Sequence, residues 1–304
     1  MTAPAPTAAF PVRRPVEGEA AAKEPRRRRK GAGRVDRPGF LVYGLLSAFI
    51  LGSTYPLWWS FVVASGTNAT RSETLPMVPG GNFLANAAKV FDALPFWTAL
   101  LNSIIVSGVI TVSVVTFSTL AGYAFAKLRF RGRDGLMITV VATLAIPTQL
   151  GIIPLFILMR QLGWTGELGA VIVPTLVTAF GVFFMRQYLI DVIPDELIEA
   201  ARMDGANQFR TFLTVAVPAA RPAMAILALF TFMMAWTDFL WPLIVLNPTN
   251  PTLQTALAQL QSGYYIDYSI VLTGAVMSIV PLLVLFVLAG RQLIAGIMSG
   301  AVKG

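Results

Sequence analysis

Four acidic side chains, two alanines and a glycine stand at helical spacing in one hydrophilic stretch, DELIEAARMDG, from Asp195 to Gly205. Pro194 is placed to open a helix, because the N–H it lacks is not needed in the first turn. Asp195 and Glu196 then fall in that turn, where negative charge suits the helix dipole. Leu197, Ala200, Ala201 and Asp204 share one face, and Glu199 can reach Arg202 at i+3. Gly205 stands where a left-handed C-terminal cap stops a helix. The spacing predicts a separate helix of about ten residues, too short to be stable alone. A helix lying on a bilayer is rich in Lys, Arg and large apolar groups. This one sets four carboxylates against Arg202 alone, and its small residues permit close approach, so it reads as a helix docked in a groove of a second protein.

Other chemistry is closed to the chain. It has no cysteine and no histidine. Disulfides, thiolate nucleophiles, Cys/His metal sites and histidine acid–base catalysis are thereby excluded. No G-x-x-x-x-G-K-[ST] phosphate loop occurs, so any ATP with its Mg must be bound by another chain. The sequence predicts no catalytic residue, metal site or cofactor in this protein.

The elements that must hold the acidic stretch in place are apolar. Of 304 residues 56% are hydrophobic and 12% charged, against roughly 25% charged in soluble domains. Lipid must be the solvent over much of the surface. Six runs approach the ~20 residues a span needs: Phe40 to Ala64, Thr98 to Ala126, Leu136 to Met159, Leu168 to Tyr188, Ala223 to Leu246, and Tyr268 to Ala289. Two longer hydrophilic stretches separate them, Ser65 to Trp97 and Asp191 to Arg221. The fold class predicted is all-α and polytopic, with about six transmembrane helices.

Charge sets the orientation. With both termini in the cytoplasm, twenty Lys and Arg lie inside and three, Arg71, Lys89 and Arg160, outside. The net charge of +8 therefore reads as membrane orientation rather than nucleic-acid binding. Residues 1–39, with the run Arg26 to Lys30, read as a disordered basic cytoplasmic tail that anchors topology and touches anionic lipid. Residues 40–304 form the transmembrane domain, with 191–221 as its cytoplasmic loop.

Pro147, Pro154, Pro174, Pro242 and Pro281 fall in or beside spans, where each removes a donor and bends its helix. Asp238 is the one acidic residue deep in a span; it either lines a polar pathway or subunit interface, or is hydrated near the surface. Trp236 and Trp241 flank it. Trp236 joins Asn102 and Asp238 as a candidate for the pathway or interface, and Trp241 reads as part of an interfacial aromatic belt. The outer loop Asn247 to Asp267 is either a connector or a partner-probing loop.

Glu199-Ala200-Ala201-x-x-Asp204-Gly205-Ala206, with Pro218 beyond, resembles the EAA loop of ABC importer permeases. The likeness extends through Asn102-Ser103, Gly122 to Gly132, Pro147-Thr148-Gln149 with Pro154-Leu155-Phe156, and Trp236-Thr237-Asp238-Phe239. In that last motif the family carries Asn where Thr237 stands. The C-terminus, Gly296 and Gly300 to Gly304, is similar to the tail of the smaller permease of maltose-type carbohydrate importers. Residues 1–39 lie outside the resemblance.

The resemblance implies a type I ABC importer permease architecture in the cytoplasmic membrane. Its partners would be a second permease in a pseudo-symmetric heterodimer, two ABC ATPase subunits that bind ATP and Mg, an extracytoplasmic solute-binding protein, and a sugar as cargo. It makes Glu199, Ala200, Ala201, Asp204, Gly205 and Ala206 the coupling set. Lys303 and Gly304 would insert between the ATPases. A permease of the same machinery for glycerol-phosphate, or an ion-coupled secondary transporter, remain as alternatives. The second would need buried titratable groups that the chain hardly carries.

Overall fold

Backbone N–H and C=O groups find no partner in hydrocarbon, so apolar runs of this length close their hydrogen bonds internally, as helices. The computed structural model describes residues 39–67, 77–262, 264 and 266–301. The basic run before Gly39 and the pair Lys303 and Gly304 lie outside them. All regular structure in the described residues is helical. Phe40–Ala64 (α1) is followed by Phe83–Ala93 (α2), Phe96–Lys127 (α3), Arg133–Thr143 (α4), Ile152–Gln161 (α5) and Leu168–Ile172 (α6). Ala179–Val192 (α7), Asp195–Met203 (α8), Gln208–Thr211 (α9) and Val217–Thr237 (α10) come next. Leu240–Val245 (α11), Leu253–Gln259 (α12) and Tyr268–Ala301 (α13) complete the series. Five stretches are long and apolar enough to cross a membrane, and a bent pair, α4 with Thr148–Gln161, makes a sixth.

Residues 40–53 of α1 belong to a unit of their own, and their side chains are exposed. From Thr54 onward the chain forms a second unit, built on α3. That helix packs against α7 and α10, while α10 also meets α13, and α13 meets α2. Small residues let α3 and α7 close up, the usual device where lipid offers no hydrophobic drive between helices. At Gly122 an added Cβ would lie 2.8 Å from the backbone nitrogen of Arg186 and from the Cβ of Met185. Val114, Met185, Leu189, Ala216, Ala220 and Ala223 are fully buried around this contact.

Two expected spans differ from the structure. The run Leu136 to Met159 is not one helix: α4 and the segment from Thr148 meet at 89°. Pro147 lacks the N–H that would continue the ladder, and its ring disfavours helix in the residue before it. The fifth span is Gln208–Thr237 instead of Ala223 to Leu246. Arg210 and Arg221 made its N-terminal end look like loop, yet long basic side chains can stay in a helix and reach water. Residues Phe212–Ala216 take π geometry just before Pro218, which cannot donate into the preceding turn. Asp238 consequently follows the end of this span instead of lying deep within it.

Residues 77–93 and 247–262, between spans, carry structure that hydropathy did not announce. In the first, α2 buries Val90, and Asn86 donates to the carbonyls of Ala64 at 2.9 Å and Gly66 at 2.8 Å. In the second, α12 packs on α3 and α13. Ser103 Oγ accepts the Leu253 N–H at 2.7 Å.

Candidate functional site

Helix α8 begins directly after Pro194, with Asp195 and Glu196 in its first turn. It ends on Gly205, whose φ is +78°. Two hydrogen bonds close that end: Gly205 N–H to Arg202 O at 2.9 Å, and Ala206 N–H to Ala201 O at 3.0 Å. The pair is a Schellman motif, which satisfies carbonyls the helix leaves open and requires a left-handed residue where Gly205 stands. Asn207 then starts α9, its Oδ1 accepting the Arg210 N–H at 2.8 Å. A continuous helical path leads from there through the π segment into α10. Asn207 escaped the sequence reading, although Asn two places after a capping glycine and three before Arg210 is a helix-start signal.

Ile198 is the residue that seats α8, being 4% exposed and part of the main core cluster with Tyr123, Leu189 and Phe212. The opposite face is open. Asp195, Glu196, Glu199, Ala200, Asp204 and Gly205 are exposed, while Ala201 and Ala206 are half-buried. Leu197, Met203 and Phe209 are exposed as well, Met203 at 88%. Apolar groups thus lie exposed among carboxylates on a capped turn, the kind of surface that protein–protein contacts use. Met203 and Phe209 were not foreseen, because the i, i+3, i+4 pattern placed the apolar face on Leu197 and the alanines. Glu199 and Arg202 do not pair. The two ion pairs among the described residues are Lys127–Asp195 and Arg133–Asp134.

The first of these ties α8 to the end of α3. Lys127 Nζ lies 2.8 Å from Asp195 Oδ1, with the lysine side chain 6% exposed and the aspartate 78%. The hydrogen bond and charge of Lys127 hold the Asp195 carboxyl below its ordinary value. The pair joins the end of α3 to the first turn of α8 through a contact that water reaches on the aspartate side. Beneath the loop, the Tyr123 and Phe212 rings stand 5.4 Å apart, joining α3 to the π segment.

Asn102, Trp236 and Asp238 lie elsewhere. Asn102 is buried and donates to Asn250 Oδ1 at 2.8 Å and Pro251 O at 2.9 Å. Trp236 is 1% exposed, stacks on Phe232 and donates to Ser278 O at 3.3 Å. Both border the packing around Leu253, so their polar groups are turned inward to hold α3, α10, α12 and α13. Asp238 is half-buried at the break between α10 and α11, with the N–H groups of Phe239, Leu240 and Trp241 against its carboxylate. Trp241 is 8% exposed and donates to Ala170 O at 3.0 Å; it is a core residue instead of a belt residue.

The family described as "Binding-protein-dependent transport system inner membrane component" matches residues 115–292. That region runs from mid-α3 through the acidic loop into α13. The chain is 39% identical over 233 residues to the arabinooligosaccharides transport system permease protein AraQ of Halalkalibacterium halodurans, covering 76% of this chain and 83% of that one. It is 32% identical over 272 residues to the lactose transport system permease protein LacG of Rhizobium radiobacter, covering 88% and 97%. It also superimposes, at a TM-score of 0.70 and 27% identity, on a chain of a bacterial ABC transporter involved in the import of the acidic polysaccharide alginate, covering 83% and 94%.

Proposed function

We propose a mechanism from one premise: this chain belongs to the family of inner membrane components of binding-protein-dependent transport systems. It is a multi-pass permease subunit of the cytoplasmic membrane, and members of that family are not catalytic. Its cargo is a sugar or oligosaccharide, in keeping with the arabino-oligosaccharide and lactose permeases it resembles. It works beside a second permease, with two ATPase subunits on the cytoplasmic side and a solute-binding protein outside. ATP and Mg are held by the ATPases, and both termini face the cytoplasm.

The observation that carries the mechanism is the rigid, capped, acidic turn from Asp195 to Asn207, held to α3 by Lys127 and continuous with α10. The open face of α8 docks in a groove of an ATPase subunit. Glu199 and Asp204 pair with basic groups there, Ala200 and Ala201 allow close approach, Gly205 sets the turn and Ala206 completes the cap. When ATP closes the ATPases, the groove drags α8. The pull passes along α9 and the π segment into α10, and through Lys127 into α3. Since α3 and α10 are packed on each other and on α7, the pull is shared across the bundle and reverses the side on which the path opens. Lys303 and Gly304 add a second contact, reaching between the ATPases.

The test is co-purification with the ATPase subunits, followed by sugar-stimulated ATP hydrolysis in proteoliposomes. Reversing the charge at Glu199 (Glu199→Lys) should weaken capture of the ATPase by about tenfold or more, the usual loss for a charged hydrogen bond at an interface. The fold should be untouched, because Glu199 is exposed and unpaired in this chain. A chain that purifies alone and moves sugar on a proton or sodium gradient would overturn the proposal.

A further inference from the structure

The break between α4 and α5 has no cover among the described residues. Every residue from Val141 to Gly151 is exposed. Around the bend the regular ladder gives way to tight three-residue turns: Ile146 N–H to Thr143 O at 3.2 Å and Leu150 N–H to Pro147 O at 3.1 Å. Pro147 has no N–H to give, and the carbonyls of Leu144, Ala145 and Ile146 accept no backbone hydrogen bond among the described residues. Thr148 and Gln149 make no side-chain hydrogen bond there either. Each limb supplies about 15 Å of helix, and at 89° the two reach roughly 20 Å end to end, most of a hydrocarbon layer of about 30 Å. The bend therefore falls inside the apolar layer. Irregular backbone at that depth does not face lipid; it is covered by protein or lines water.

Resting on the carbohydrate-importer reading, we infer that this break lines the translocation path, where Thr148, Gln149 and the free carbonyls before Pro147 hydrogen-bond hydroxyls of the passing sugar. Three observations favour a sugar over a protein occupant. The exposed polar groups are an amide, a hydroxyl and carbonyls, which together donate to and accept from neighbouring hydroxyls. Between Arg133 and Arg160 the chain has no basic side chain, so the break offers no partner to a phosphate. An interrupted helix at mid-membrane depth is also the construction by which transporters present backbone groups to cargo. A set of neutral, individually weak hydrogen bonds suits a ligand that must be released as readily as it is held.

The chain has no cysteine, so Gln149→Cys places one thiol in this subunit, at an exposed position without a partner. In the reconstituted complex this subunit should react with the water-soluble reagent trimethylammonium-ethyl methanethiosulfonate, which needs a hydrated, ionisable thiol. Lactose or arabinotriose, delivered through the binding protein, should slow labelling by about threefold to tenfold. Gln149→Ala and Thr148→Val should each lower sugar moved per ATP hydrolysed by a similar factor, leaving assembly with the ATPases intact. Absence of labelling with and without MgATP would overturn the inference and make the break a subunit interface. Labelling that sugar does not slow, in a complex that moves that sugar, would overturn the sugar contact alone. A wild-type complex that moves neither sugar would overturn the contact together with the reading it rests on.

Discussion

Gly205 separates two ways in which the acidic loop can fail. Its φ of +78° lies in the left-handed region, and nothing stands within 4 Å of where a Cβ would be. Gly205→Ala therefore meets no clash in this chain, and its penalty is the backbone conformation alone, about 1–2 kcal/mol for an L-residue. That is a factor of roughly 5–30 in the population of the closed cap. On the proposed docking the groove takes the capped form, so apparent docking should weaken by up to the same factor. Asn visits this region several-fold more readily than most side chains, and Gly205→Asn should fall between glycine and alanine although its side chain is larger. The assay is ATPase-subunit affinity and sugar-stimulated hydrolysis in proteoliposomes, with helix content of α8 followed by hydrogen exchange. The order Gly, then Asn, then Ala supports backbone control. Wild-type behaviour in both variants, or Asn worse than Ala, would refute it, the second result placing the partner's wall against this position.

Three further outcomes follow from the packing. Gly122→Ala forces a methyl to within 2.8 Å of α7 backbone, and overpacking of this kind costs about 1–3 kcal/mol; thermal unfolding in detergent should drop by several degrees, and an unchanged midpoint would contradict the close α3–α7 contact. Asn102→Ala strips both donors from the Asn250 and Pro251 acceptors, and orphaning a buried carbonyl costs about 1–3 kcal/mol, which should appear as faster hydrogen exchange in α12 with ATPase docking preserved. For Lys127–Asp195 the sign follows from a depressed carboxyl: its contribution is present above the ordinary carboxylate range, near 3.9, and is lost as pH falls through the lower folded value. Exchange protection of the first turn of α8 should hold through mildly acid pH in the wild type. In Lys127→Met protection should be lower at neutral pH and lack this acid limb, and equal profiles would rule the pair out as an anchor.

The acidic helix was legible because its signals are local: a proline before it, carboxylates in its first turn, a glycine after it. Each acts within a turn of its own position, so spacing alone carries it. Ile198, Met203 and Phe209 were not legible in the same way. Which side of a short helix is covered depends on the body it rests on, here the main core cluster, and no periodicity within nine residues decides that. The same holds for Asn102 and Trp236. A polar or aromatic group in an apolar run reads equally as pathway or as internal tie until its partners, Pro251 and Ser278, are brought across from distant sequence. Hydropathy counted the spans well but drew the third as a rod, because a window average cannot register that one missing N–H at Pro147 turns the chain through 89°. It began the fifth too late, because Arg210 and Arg221 were weighed as loop charges although a helix end can carry them at the membrane surface.

That late start changes how force enters the membrane. A loop joined to its span by irregular chain would transmit a pull through soft dihedrals and lose most of it. Here the only irregularity between α8 and Thr237 is the turn Asp204 to Asn207, closed at both ends by caps, and the π segment Phe212–Ala216. The π segment is packed on its inner side, with Phe212 9% and Ala216 fully buried and Tyr123 against the Phe212 ring. Leu213 and Thr214 on its other side are exposed, so a change of register there need not disturb the packed face, while Lys127 links α8 to α3. On the proposed mechanism a displacement of α8 reaches α3 through Lys127 and α10 through the π segment, and the π segment absorbs the difference between the two. Straightening it by removing Pro218 (Pro218→Ala) should leave the chain folded and docked, yet lower sugar moved per ATP by making α10 follow α3 too closely. Unchanged stoichiometry in that variant would show that the π turn is a consequence of the proline and has no part in the stroke.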